Sequence, residues 1–206
     1  MAGAERRVGA ETSATRAAIL AASEALIFKD GYGALSTRKV AARAGLKPSL
    51  VHYYFPTTDD LLLAVSRRGA DESDRMIEQA LTSGDPVRAL WRFFIDTSRT
   101  RMALEFMALA NHREALRAHM AHHCEAMRER ETRIFRKLIG DRLDGPDGLD
   151  PAALSVVLAG IGRAIVMEEN LGVTAGHEDA IAFVEAWLDK LLLQDHDAQE
   201  SRASAS

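Results

Sequence analysis

The sequence predicts an all-α chain, with a three-helix N-terminal head carrying a helix-turn-helix and a longer helical body behind it. Three observations predict it. Apolar residues recur three to four positions apart along most of the chain, no segment alternates apolar and polar residues as a half-buried strand would, and Gly, Pro and Asp punctuate the pattern at helix-length intervals. The most informative stretch is residues 36–55, STRKVAARAGLKPSLVHYYF.

Residues 1–14 are small and polar and are expected to be a disordered arm. The run AAILAASEALIF after Arg16 then reads as a first helix. Ser36 can accept a backbone N–H and cap a second one, on which Val40, Ala41 and Ala44 share a face. Gly45 supplies the left-handed residue that stops it. Pro48 opens a third helix, where its missing N–H would have had no partner, and Leu50, Val51 and Tyr54 form that helix's stripe. These segments predict a head over residues 15–57.

The third helix has an unusual start. Lys47 stands where a capping Ser, Thr or Asp would be expected, and its charge opposes the partial positive charge of a helix N-terminus by roughly 0.3–1 kcal/mol. A nearby phosphate reverses the sign, because a cation beside exposed N–H groups makes a strong anion site. His52 and Tyr53 extend the same face with polar tips. Charge is segregated to match: residues 1–57 hold eight Lys and Arg against four Asp and Glu, a net of +4, and residues 58–206 hold eighteen against twenty-six, a net of −8. A basic head favours duplex DNA through counterion release.

The run AAILAASEALIFKDGYGALSTRKVAARAGLKPSLVHYYFPTTDDLL resembles the N-terminal DNA-binding domain of the TetR family of bacterial transcriptional regulators. The resemblance implies that Ser36, Thr37 and Tyr53 touch phosphates, and that Arg38, Pro48, Ser49, Leu50 and His52 face base edges or the adjoining backbone. Side-chain chemistry agrees: Arg38 can pair bidentately with guanine, and Leu50 or Pro48 can pack on a thymine methyl. Two positions depart from the family pattern. Thr58 replaces a common phosphate-gripping Lys, and His52 replaces a frequent Tyr.

Beyond the head the pattern stays helical over residues 58–194. Thr57 and Asp60 have capping-box spacing, and Asp85 before Pro86 opens VRALWRFFIDTSRT. A break at Asn111 separates MALEFMALA from a long helix, and residues 140–151 form a Gly, Asp and Pro loop ending in the Asp150–Pro151 cap. Two helices follow, at 151–171 and 178–193, before a tail over 195–206 expected to be disordered. No apolar run approaches the roughly eighteen residues needed to cross a bilayer, and the N-terminus has no hydrophobic signal core, so a cytoplasmic protein with no membrane partner is expected. The single cysteine, Cys124, excludes an internal disulfide framework.

The last two helices carry more apolar face than one small bundle needs. With the family resemblance this implies a homodimer joined through Leu154, Leu158, Phe183, Val184, Trp187, Leu188 and Leu191, with Gly160 and Gly162 permitting close approach. Large and flexible apolar residues between head and tail suggest a chamber for a small, largely apolar effector. Its expected lining is Trp91, Phe94, Met102, Phe106, His123, Met127, Ile161 and Ile165. The implied partners are thus palindromic double-stranded operator DNA, an effector and a second copy of the chain, and the implied activity is repression.

The rival reading is a metal-responsive or metal-binding helical protein, since His119 and His123 are four apart on one helix beside His122 and Cys124. Spacing alone supplies two ligands and no second sphere. No GxGxxG after a strand, phosphate loop, GxSxG elbow or HExxH helix is present, so neither a catalytic centre nor a cofactor is expected.

Overall fold

The structure, a computed structural model, describes residues 13–143 and 149–203. Residues 1–12 of the arm expected at 1–14, residues 144–148 of the stretch 140–151 expected to be a loop, and the last three residues of the tail expected at 195–206 lie outside the described residues.

Among the described residues the chain is helical throughout, in the order α1 (Ala14–Asp30), a 3-10 turn (Tyr32–Ala34), α2 (Thr37–Ala44), α3 (Pro48–Tyr54), α4 (Thr58–Leu81), α5 (Pro86–Phe94), α6 (Thr97–Ala110), α7 (Glu114–Leu143), α8 (Pro151–Glu169) and α9 (His177–Ala203). The all-α class predicted by the sequence is the observed one. Packing divides the chain into two compact units, one of Met1–Glu72 with Arg101–His123 and the other of Ser73–Thr100 with Cys124–Ser206. The division does not follow the boundary at residue 57 that charge and motif suggest, because α4, α6 and α7 each supply residues to both units.

In the first unit, Ser13 caps α1 by accepting from Arg16 N at 3.0 Å. Buried Ile19 and Ile27 of α1 meet Val40 and Ala41 of α2, Val51 of α3 and Leu62 of α4 in one core, with Ala44 and Tyr54 packed against it. Arg68 ties α4 to α1, donating to the Ala17 carbonyl at 3.2 Å and pairing with Glu24 at 3.3 Å. The Thr57 and Asp60 box closes in both directions, with Asp60 N donating to Thr57 Oγ1 and Thr57 N to Asp60 Oδ2, both at 3.0 Å.

In the second unit, α5, α7, α8 and α9 share a core that includes Trp91, Phe135, Leu154, Leu158, Val184 and Leu188. Asp85 caps α5 through Arg88 N at 3.0 Å, and Arg88 also pairs with Asp189 of α9. The segment VRALWRFFIDTSRT is broken rather than continuous. Asp96 accepts from Arg99 N at 3.1 Å and so starts α6, ending α5 at Phe94. The tail expected to be disordered from residue 195 instead continues α9 to Ala203. No Gly or Pro interrupts this stretch, and extending an existing helix needs no new nucleus.

The packing of α8 corrects two expectations. Leu154, Leu158, Val184 and Leu188 have at most 2% of their surface exposed, so they are core residues of the protomer and not partner-facing ones. Trp187 and Leu191 are half-buried against the same core. Of the residues assigned to the interface only Phe183 is open, at 70% exposure. On the opposite side of α8, Val156, Val157 and Met167 face outward, with exposed Gly160 and Ala164 between them and Ala182 and Ala186 beside Phe183; Leu171 and Val173, between the two helices, are exposed as well. Because α8 is apolar on both sides, it is long and apolar enough by composition to span a bilayer, although no apolar run of that length was expected. Of its most apolar 18-residue stretch, 39% is buried inside the fold.

Candidate nucleic-acid interface and effector-domain polar cluster

Local rules set the α2–α3 geometry. Ser36 Oγ accepts from Lys39 N at 3.3 Å, which starts α2. Gly45 ends it with φ 68° and ψ 29°, a left-handed conformation that costs glycine least. The Leu46 N–H then returns to the Ala41 carbonyl at 2.9 Å, which closes the turn. Lys47 is the N-cap of α3, and its side chain makes no capping bond. Pro48 follows at the first helical position.

Burying Val40, Ala41 and Val51 fixes which side of α2 and α3 faces outward. Arg38, Lys47, Pro48, Ser49, His52 and Tyr53 are exposed together with Ser36, whereas Thr37 and Leu50 are half-buried. Leu50, placed by its spacing on the inward stripe, is not among the residues packed on the core. Tyr53 and Tyr54 diverge at an interplanar angle of 84° with centroids 5.3 Å apart, so the first ring stands in solvent while the second packs inward. Two further cations, Lys39 and Arg43, are exposed on α2. Charge on the first helix of the motif is the signal by which sequence reasoning could have found them.

The proposed effector lining is divided between the two units. Met102 and Phe106 belong to the core of the first unit, where His123 also lies. Trp91 and Phe94 are buried in the second, with Met127 and Ile161 packed against that core and Ile165 buried in the same unit. Trp91 Nε1 is buried with no hydrogen-bond acceptor among the described residues, an orphan donor of the kind that costs about 1–3 kcal/mol. Sequence reasoning missed a buried polar cluster nearby in the chain. Glu131 of α7, 2% exposed, accepts a hydrogen bond from fully buried Ser155 of α8, and Arg128 Nη1 donates to the same hydroxyl. Burial pushes the Glu131 carboxyl above its usual range, against the opposing effect of Ser155 and the cations Arg128 and Arg163.

His119 is held below the ordinary imidazole range, first by burial and then by the Arg67 cation. His122 is exposed. Among the described residues no group of three or more His, Cys, Asp or Glu side chains is placed to hold a metal ion, so the histidine pair gains no further ligand.

Residues 19–65, the segment that builds α1 to α3 and the start of α4, match the family model for bacterial regulatory proteins of the tetR family. This segment is a TetR-family N-terminal domain. Over 83 residues it is 37% identical to the HTH-type transcriptional repressor LfrR of Mycolicibacterium smegmatis, a match taking in 40% of this chain and 43% of that protein. The match thus spans less than half of this curated relative. The TetR fold extends further: a TetR-family protein from Rhodococcus sp. superposes with a TM-score of 0.71 at 23% identity, covering 87% of this chain and all of the other. The multidrug binding protein EbrR, solved in complex with imidazole, gives a TM-score of 0.58 at 23% identity over 87% of this chain and 96% of that one.

Proposed function

We propose that this TetR-family protein is a dimeric transcriptional repressor that binds a palindromic operator and is released from it by a small organic effector. The observation that carries the reading is the outward face of α3, where Lys47 caps the helix without bonding to it and Ser49, His52 and Tyr53 stand in solvent. Lys47, Ser36, Thr37 and Tyr53 grip phosphates, while Arg38, Pro48, Ser49, Leu50 and His52 read base edges or the adjoining backbone. Lys39 and Arg43 add phosphate contacts.

Dimerisation supplies the reading distance, since two recognition helices enter successive major grooves only when held roughly 34–36 Å apart. The outer apolar side of α8, Val156, Val157 and Met167, joined to Phe183 of α9, supports a second copy as its partner. That side replaces the buried residues first assigned to the interface. An effector in the second unit, near Trp91, Phe94 and Met127, acts by preferring a state whose α3 helices cannot span the operator. Moving such an equilibrium from 1:99 to 99:1 needs roughly 5.5 kcal/mol of differential affinity. The similarity to a protein named a repressor, LfrR, and the shared fold with a multidrug binding protein support this division of labour.

The reading is tested by gel shift with duplex fragments from the region upstream of the gene. Retardation of a fragment containing an inverted repeat, lost in Arg38→Ala, supports it, and failure to retard any such fragment at low ionic strength refutes it.

A further inference from the structure

We propose that Arg163 and Arg128 form a carboxylate-binding site between α7 and α8, selecting as effector a small organic acid with an apolar body. This rests on the effector reading above. The placement follows from helix periodicity: Ser155, Ala159 and Arg163 lie four apart on one side of α8, and Cys124, Arg128 and Glu131 lie four and three apart on one side of α7. The two sides meet where Arg128 and Glu131 both reach Ser155.

Charge decides the class of ligand. Arg128 is 3.6 Å from the buried Glu131 carboxylate and spends a donor on Ser155, so one cation already answers the one buried anion, while the other carboxylate acting on Cys124, Glu125, is exposed to solvent. Arg163 is a second cation within electrostatic reach of Glu131 and Cys124, and its side chain has no hydrogen-bond or ion-pair partner among the described residues. Burial keeps the Cys124 thiol protonated, so it contributes no competing negative charge. Beside Glu131 a ligand cation would therefore meet two guanidinium groups against one carboxylate. A ligand carboxylate would instead take up the uncommitted guanidinium, whose planar fork suits two parallel N–H···O bonds. Buried Ala159 and half-buried Cys124 and Met127 flank the site and offer apolar contact for the body of the acid.

Titration calorimetry on the full chain with octanoate, 1-octanol and octyltrimethylammonium compares three head groups on one tail. Octanoate is expected to bind about tenfold or more tightly than the other two. The Arg163→Gln variant should lose that preference while keeping its affinity for 1-octanol, and Arg163→Lys should retain part of it. Equal binding of the three probes, preference for the cation, absence of octanoate binding, or an Arg163→Gln variant with undiminished octanoate affinity would each overturn the proposal. Operator retardation by the unliganded wild-type protein is measured alongside. Its failure would remove the regulator reading and leave the head-group result to stand or fall on its own.

Discussion

Gly162 of α8 lies so close to Phe94 that a methyl group on its Cα would sit 2.3 Å from the Phe94 carbonyl oxygen and 2.8 Å from its carbonyl carbon. The neighbour is backbone at the end of α5, so it cannot swing aside, and the same carbonyl accepts from Thr100 Oγ1 at 3.2 Å. Gly162→Ala should therefore destabilise the protein by about 1–3 kcal/mol, read as a lower midpoint in urea unfolding at unchanged slope. Gly160, with open space around its Cα, should accept Ala without loss of protomer stability.

The outer side of α8 and α9 predicts a second pair of variants. Val157 and Phe183 are 46% and 70% exposed, so a charge at either costs the protomer little, within about 0.5 kcal/mol. Placed at a two-fold interface, each charge would be buried twice. Val157→Asp and Phe183→Asp should give folded monomers in sedimentation velocity, and the wild type should sediment as a dimer. Variants that remain dimeric would place the interface elsewhere.

DNA contacts of two kinds separate by their sequence dependence. Arg38→Ala should cost about 1–3 kcal/mol on the operator and relax preference at one base pair, as measured by competition with single-base operator variants. Lys47→Ala should weaken operator and unrelated duplex alike and reduce the salt slope by about one.

Glu131 gives a pH prediction. Its folded carboxyl is raised above the unfolded value, so its contribution to stability is fully present below the usual carboxylate range and is lost as pH rises through the folded value. Glu131→Gln keeps a hydrogen-bonding group for Ser155 and removes the buried charge. The variant should melt higher than wild type at pH 8, by roughly 2–4 °C if the gain is about 1 kcal/mol, with the gap closing as pH falls toward 4.5. A variant less stable at every pH would show that the charged group is net stabilising where it stands.

The head was legible because its signals are local. Ser36, Gly45 and Pro48 set helix ends through their own backbone chemistry, and the observed cap, left-handed turn and first-turn proline follow directly. The tail was legible only in part, because α8 is apolar on two sides and periodicity cannot say which side meets the protomer's own core. Leu154 and Phe183 read alike in sequence and differ from fully buried to 70% exposed in the fold. Asp96 went unread as a cap because Ile95 before it continues the apolar pattern of α5. The Glu131 and Ser155 pair went unread because its partners are 24 residues apart on different helices.

The most direct test of the whole account is sedimentation equilibrium of the protein on a labelled upstream duplex, repeated across a salt series. The account predicts a complex with two protomers, or a whole multiple of two, per duplex, and an association constant that falls steeply with salt. A protein that stays monomeric and leaves every such duplex unbound at low ionic strength would contradict it.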